Sequence, residues 1–128
     1  MLPLLLVLAG CSDSAATFVG TWTCATTITV TDRFGVNSFV DNDTWTVNEL
    51  GSSEIGVHQD NIKDCAPIKL QVSGNAASVE PGQSCTSSDG TFTTYVSLQA
   101  TIDGNTLKIN EHSTWQDGTD DRVASCQR

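Results

Sequence analysis

The chain is short of basic residues. Six Lys and Arg stand against 15 Asp and Glu, which gives a formal net charge of −9 over 128 residues. Phosphate backbones repel a surface of this sign, so we do not expect a nucleic-acid partner. The sequence also has no cluster of Lys and Arg of the kind that binds anionic lipid headgroups. Charge alone therefore gives the protein no affinity for a membrane.

Motifs of known catalytic and metal sites are missing as well. The sequence has no Gly-x-Ser-x-Gly, no His-x-x-x-His, no Cys-x-x-Cys and no Gly-rich phosphate loop. The two histidines, His58 and His112, lie far apart in the sequence. The acidic turns 41–43 and 117–121 could bind calcium through oxygen ligands, but turns select Asp and Asn in any case. We expect no enzyme activity, no cofactor and no metal site.

Helix-forming runs of Ala, Leu, Glu and Lys are also absent, whereas Thr and Ser are abundant, which favours β-strands. Apolar residues recur with a period of two, which is typical of half-buried strands. One face of the first strand carries Trp22, Cys24, Ile28 and Val30. In residues 92–102 the same period places on one face Phe92, Val96, Leu98, Ala100 and Ile102, with Tyr95 on the other.

The alternating runs and the turn residues between them predict an all-β domain of about eight strands. The predicted strands lie near residues 18–31, 36–47, 53–59, 67–73, 76–80, 91–102, 106–115 and 121–126. Their connections are short, so neighbouring strands should pair antiparallel in an up-and-down meander. Closure into a small barrel removes the exposed sheet edges, so we favour a closed barrel. Another barrel or roll, or a two-sheet sandwich, is the alternative.

The N-terminus holds the one long apolar run, Leu2 to Ala9, followed by Gly10 and Cys11. The segment Leu8-Ala9-Gly10-Cys11 resembles the lipobox of bacterial lipoproteins. The resemblance implies that residues 1–10 are a cleaved signal peptide and that Cys11 carries lipid. Residues 11–17 would then be a flexible tether and 18–128 a single barrel domain. The alternative is an ordinary signal peptide with a coincidental Cys.

The same resemblance implies a location. A lipid on Cys11 would anchor the protein in the bacterial cell envelope, and Ser12 after it favours the outer membrane. No Lys or Arg precedes the apolar run. Either the true start lies upstream of Met1 or the leader is unusual.

The cysteine count fits this interpretation. With Cys11 lipidated, four cysteines remain, an even set that suggests two disulfides in an oxidising compartment. Four cysteines allow three pairings. Barrel closure would join the first and last strands, and the ends of the hairpin at residues 74–75 should meet, so the layout favours Cys24–Cys126 and Cys65–Cys85.

A second resemblance concerns the first strand. Gly20-Thr21-Trp22 is similar to the Gly-x-Trp of lipocalins and related calycin barrels, where the Trp packs across the closed end of the barrel. This resemblance implies a binding module for a small apolar ligand, with Trp22 and Trp115 as candidate ligand contacts. Eight short strands can also leave an interior that side chains fill completely.

Glu111 is the one charged residue in an otherwise apolar pattern, because it shares a face with Leu107, Ile109 and Trp115. A carboxylate inside a barrel could orient a ligand and would have a raised pKa. We favour the simpler interpretation, in which the strand leaves the core and Glu111 lies at a wet rim. Possible basic partners, all expected to face solvent, are Lys69, Lys108 and Arg122.

The alternative function is a structural or interaction lipoprotein. The polar segment 34–43 would bind protein or glycan through exposed side chains, notably Phe34 and Phe39. An apolar patch there would favour this alternative over a ligand cavity.

Overall fold

The computed structural model describes residues 14–60 and 65–128, so Cys11 and the leader lie outside the described residues. A short 3₁₀ helix covers Ala15–Phe18 and is followed by nine strands. The strands are β1 Gly20–Asp32, β2 Gly35–Gly51, β3 Glu54–Gln59, β4 Ile68–Ser73, β5 Ala76–Val79, β6 Ser84–Thr86, β7 Phe92–Asp103, β8 Thr106–Trp115 and β9 Gly118–Gln127. No helix among these residues has the length and apolarity needed to cross a bilayer.

Eight of the strands close into one antiparallel barrel. Each barrel strand pairs with the next along the chain, β5 pairs with β7, and β9 returns to β1. This confirms the predicted closed meander, and the two-sheet sandwich is wrong. The extra strand β6 pairs with the start of β7 and was not predicted, because three residues are too few to show a period.

Both predicted disulfides are present. In the seam between β1 and β9, Cys24 lies directly opposite Cys126 with their Cα atoms 4.0 Å apart. Cys65 and Cys85 are also paired, with a Cα–Cα distance of 5.5 Å. The first disulfide therefore joins the two strands whose pairing closes the barrel.

One end of the barrel is closed by the 3₁₀ helix, and we call it the closed end. Phe18 is fully buried there, and its carbonyl accepts a hydrogen bond from the indole of Trp22 at 3.0 Å. Arg128 lies over the Trp22 ring at 4.3 Å and donates to the carbonyls of Thr17 and Val19. Ala15 is buried in the core, so the fold includes residues 15–17 of the segment in which we expected a tether.

The inner face of the barrel follows the predicted alternation in most strands. The core includes Trp22, Cys24 and Ile28 of β1, with Trp45 and Val47 of β2. Further core residues are Ile55, Val57, Ile68, Leu70, Val72, Leu107 and Ile109. All of them except Ile28, which lies opposite Arg122 of β9, pack in one hydrophobic cluster with Trp22.

The predicted choice of inward-facing residues in the first half of β7 is wrong. A β-bulge between Tyr95 and Ser97 leaves Val96 without a partner on β8. The extra residue shifts the alternation by one, so Tyr95 is buried whereas Phe92 and Val96 are exposed. Beyond the bulge, Leu98, Ala100 and Ile102 face inward as predicted.

Candidate functional site

Polar side chains meet inside the barrel, toward the end opposite Trp22. Three strands supply them: β3, β8 and β9. In register, Glu111 of β8 lies opposite Arg122 of β9, which lies opposite Ile28 of β1. We call the following set the polar layer: Gln59, Glu111, Ser113, Asp120 and Arg122.

Glu111 is the centre of this layer and is only 4% exposed. Its Oε1 accepts a hydrogen bond from Gln59 Nε2 at 3.1 Å, and its Oε2 accepts one from Ser113 Oγ at 3.3 Å. Gln59 and Ser113 are themselves buried. The expected wet rim is therefore wrong: β8 stays in the wall of the barrel, and neighbouring strands supply polar partners for the carboxylate.

Arg122 points into the same layer, which corrects the prediction that it faces solvent. Its Nε is 3.6 Å from Glu111 Oε2, and its Nη2 is 3.6 Å from Asp120 Oδ2. Its Nη1 donates to Gln59 Oε1 at 3.2 Å. One guanidinium thus contacts two carboxylates and one amide, while the other two basic candidates, Lys69 and Lys108, are exposed as predicted.

Burial changes the acidity of this site. Removal from water raises the pKa of Glu111, and the nearby Arg122 and the hydrogen bonds from Gln59 and Ser113 offset only part of that effect. Burial, together with the adjacent Glu111 carboxylate, also raises the pKa of Tyr95 to about 12. The site is therefore a desolvated group of polar atoms with a proton-binding carboxylate at its centre.

Among the residues that the structure describes, two buried polar atoms in this region have no hydrogen-bond partner: Thr26 Oγ1 and Arg122 Nε. Thr26 lies opposite Ala124 on β9, so it is a diagonal neighbour of Arg122 on the inner face of the seam. Arg122 Nε is a hydrogen-bond donor, and the Thr26 hydroxyl can act as one. An acceptor atom of a ligand or a water, placed beside the Thr26 and Arg122 side chains, would satisfy both donors.

Apolar side chains lie between the polar layer and the end of the barrel opposite Trp22. Phe39 is on the inner face because it lies opposite Ile28, and it is 46% exposed. Val30 and Trp115 are half-buried, and the Trp115 indole donates to Asp120 Oδ1 at 3.2 Å. A small cavity of about 10 Å³ adjoins Gln59 and Tyr95, which is space for about one water. A larger ligand would therefore contact Phe39 and Trp115 rather than enter fully.

The structure separates the residues that the sequence singled out. Glu111 and Trp115 share one site, connected through Arg122 and Asp120. Trp22 is buried at the closed end, six residues along β1 from Ile28, or about 20 Å at the usual rise per residue. Trp22 is a structural plug and no part of the polar layer.

Several residues of the site were not predicted to face inward, although the alternation along their strands indicates that direction for some of them. Arg122 alternates with Ala124 and Cys126, and Cys126 was predicted to pair with Cys24 on the apolar face of the first strand, which could have indicated an inward direction for Arg122. Gln59 likewise continues the inward face of Val57. Tyr95 had no such signal, because its direction depends on the bulge at Val96.

The histidines do not join this site. His112 faces outward as predicted, and its Nδ1 is 2.7 Å from Asp121 Oδ1. His58 lies on β3, and its Nδ1 is 3.8 Å from Oδ1 of Asp60 in the turn after that strand. Within residues 14–60 and 65–128, no group of three or more His, Cys, Asp and Glu is placed to hold a metal ion.

Comparison with known proteins adds information on the fold. No protein-family model matches the chain, and no curated protein sequence matches it. Among solved structures, a redesigned beta barrel matches with a TM-score of 0.54 and 18% sequence identity. The match covers 92% of this chain and 96% of that one. At this identity the likeness concerns the barrel architecture alone.

Proposed function

We propose that the protein is a bacterial envelope lipoprotein, anchored through lipid on Cys11, whose barrel binds a small and largely apolar ligand. The lipobox-like segment before Cys11 supports the anchor, and the sorting position Ser12 favours the outer membrane. A lipid chain supplies membrane affinity at about 0.8 kcal/mol per buried methylene, which the acidic surface does not offer. The two disulfides support an oxidising location outside the cytoplasm.

The observation that carries the binding proposal is the buried, incompletely satisfied polar layer. Burial of Glu111 and Arg122 is costly, and a packed barrel could be built from apolar residues instead. Thr26 Oγ1 and Arg122 Nε have no hydrogen-bond partner within residues 14–60 and 65–128. The exposed Phe39 ring and the half-buried Trp115 would contact the apolar part of a ligand.

These contacts indicate the chemistry of the ligand. It is an apolar molecule with one hydrogen-bond acceptor at its end, so that the acceptor reaches Thr26 and Arg122 while the apolar part covers Phe39.

Native mass spectrometry of the protein purified from its own host tests both parts. We expect an added lipid mass on the peptide that begins at Cys11, and a second mass that denaturation releases. Arg122→Gln should lose the releasable mass, whereas Lys69→Gln, on an exposed outward side chain, should keep it. An unmodified Cys11 would contradict the anchor, and equal ligand occupancy in the Arg122 variant would contradict the site.

A second candidate function is favoured by the β1–β2 hairpin. Phe34 is 83% exposed, Val36 70% and Val40 67%, and Phe39 adds to the same strand pair. Such a cluster of exposed apolar side chains is typical of a protein-interaction site. The hairpin therefore supports the interaction function that was the alternative from the sequence, and both functions can coexist in one barrel.

A further inference from the structure

Three side chains form a row across strands β7, β8 and β9 on the outer face of the barrel. In register, Ser97 of β7 lies opposite His112 of β8, and His112 lies opposite Asp121 of β9. The neighbouring residues Leu98 and Glu111 are buried, so the alternation along the strands directs this row to the outside. A serine, a histidine and an aspartate therefore lie side by side in that order.

The contact between His112 and Asp121 sets the role of each ring nitrogen. His112 Nδ1 is 2.7 Å from Asp121 Oδ1. A carboxylate only accepts hydrogen bonds, so Nδ1 carries the hydrogen and donates it. In the neutral ring Nε2 then has the lone pair, which can accept a proton from a hydroxyl group. This is the arrangement of a general base that a carboxylate orients.

Ser97 lies on the side of His112 away from Asp121. Directly opposed side chains on antiparallel strands have Cβ atoms about 5 Å apart, so rotation of the side chains can bring a hydroxyl to an imidazole. Ser97 is exposed among the described residues, and the bulge before it leaves Val96 exposed as well. The Ser97 hydroxyl can therefore meet both a substrate and His112 Nε2.

The row lies in an open groove of about 490 Å³. Two amide side chains, Gln99 and Asn110, lie opposite each other in the next outward row and line the same groove. Asn110 is thus a diagonal neighbour of Ser97, and its amide can donate to the oxygen of a carbonyl placed at Ser97. Val96 and Val123 are both exposed and add apolar contacts. The groove therefore suits a carbonyl compound with a short apolar group.

We propose that this row is a catalytic triad that hydrolyses carboxylic esters of short acyl groups. Ser97 Oγ attacks the carbonyl carbon while its proton passes to His112 Nε2, and Asn110 donates to the negative oxygen of the tetrahedral intermediate. His112 gives the proton to the leaving alcohol as the C–O bond breaks, which leaves the acyl group on Ser97. Water, deprotonated by His112, attacks this acyl ester, and the carboxylic acid leaves as the proton returns to Ser97.

This activity goes beyond ligand binding and is independent of it, because the triad lies on the opposite face of the barrel wall from Glu111. Gln59 and Cys65, which flank residues 61–64, border the cavity beside the buried Tyr95, so they also lie on the other face. Our expectation of no enzyme activity depended on missing sequence motifs. No motif joins these residues, since they come from three strands and meet only when the strands pair.

Hydrolysis of p-nitrophenyl acetate by the full-length protein tests the proposal. We expect a burst of nitrophenolate as Ser97 is acetylated, followed by slower steady release. Ser97→Ala and His112→Ala should each lower the steady rate above background at least about 100-fold. Ser125→Ala, at an exposed serine of β9 opposite Lys108, is the matched control and should keep the rate within about twofold.

Asp121 acts through His112, so its conservative variant separates orientation of the imidazole from a structural role. Asp121→Asn should lower the rate at least about tenfold, because an amide can stabilise the wrong tautomer of the ring. Asp121→Glu keeps a carboxylate and should restore most of the rate. Equal rates in the two variants would contradict the triad.

A fluorophosphonate probe identifies the nucleophile directly. Attack by a serine displaces fluoride and leaves the phosphonate on Oγ, so peptide sequencing by mass spectrometry should place the added mass on Ser97. Ser97→Ala should gain no mass, whereas Ser125→Ala should be labelled like the wild type. Thermal melts equal to that of the wild type show that the variants are folded, as expected for exposed positions.

An unlabelled Ser97, or ester hydrolysis that survives Ser97→Ala, would overturn the proposal. Hydrolysis lost in His112→Ala but kept in Ser97→Ala would assign the reaction to a surface imidazole alone and would overturn it as well. Lipid on Cys11 and a ligand near Arg122 are read separately by native mass spectrometry, so failure of either leaves this test unaffected.

Discussion

The carboxyl of Glu111 is a titratable group that folding removes from water. Its pKa is higher in the folded barrel than in the unfolded chain, where a Glu has a pKa of about 4.3. Between these two values the folded state holds a proton that the unfolded state has released. The free energy of unfolding should therefore fall as pH rises from about 4.3 through the folded pKa, and stay level above it.

Glu111→Gln should remove this dependence of the unfolding free energy on pH. The difference in unfolding free energy, wild type minus variant, should decrease as pH rises from about 4.3, since only the wild type loses the proton. Denaturant unfolding at a series of pH values measures the difference. Asn110→Gln, at the neighbouring exposed position of β8 and without a titratable group, is the control and should give a difference independent of pH. A flat profile for the Glu111 variant would show that the carboxylate is not desolvated.

The buried hydroxyl of Thr26 has no hydrogen-bond partner in the described part of the chain. Thr26→Val replaces that hydroxyl with a methyl group of similar size, so it removes an unsatisfied polar atom. We expect it to stabilise the ligand-free protein by about 1 kcal/mol. Thr27→Val, one residue along β1 on the exposed face, controls for strand propensity in thermal unfolding. Destabilisation by Thr26→Val alone would mean that the hydroxyl already has a partner, such as a buried water.

At the scale of elements, the β8–β9 hairpin packs tightly against the end of β1. A Cβ added at Gly118 would collide with the backbone carbonyl of Thr31, which cannot move as a flexible side chain can. Gly118→Ala should destabilise the barrel by about 1–3 kcal/mol, the usual cost of overpacking.

Gly51→Ala is the control for that substitution, because a Cβ there has open space and the backbone is in an ordinary conformation. The two alanine variants differ only in what the added methyl meets. Equal unfolding free energies would show that the hairpin can shift away from β1.

The strands were predictable because a half-buried strand repeats every two residues. The face of β7 before the bulge was not, since Phe92 and Val96 are as apolar as true core residues and nothing local marks the inserted position. The same limit applies to the polar layer. Glu111 could be placed on an inner face, and Arg122 lies opposite it across the β8–β9 hairpin. Gln59 is 52 positions away, and only barrel closure brings it to Glu111.

For the whole molecule, the disulfide between Cys24 and Cys126 stabilises the seam that closes the barrel. It spans 102 residues, whereas Cys65–Cys85 spans 20. By loop-closure entropy the seam disulfide should contribute about 4–5 kcal/mol and the other about 3 kcal/mol.

Paired Cys→Ala variants of each disulfide measure these contributions by denaturant unfolding under non-oxidising and oxidising conditions. Replacement of Cys24 and Cys126 should lower the free energy of unfolding more than replacement of Cys65 and Cys85. Added reductant should lower the free energy of unfolding of the wild type toward the values of these variants. The reverse order would mean that the β1–β9 hydrogen bonds hold the seam without the covalent link.

Pairing of β1 with β9 also sets the timing of folding. β9, the strand that completes the barrel, is synthesised after the other eight strands. Arg128, whose guanidinium covers Trp22, follows it in the chain. A ribosome-bound chain that lacks residues 118–128 has no partner for one side of β1 and cannot enclose its core. The nascent chain therefore cannot close its barrel before residues 118–127 have been synthesised.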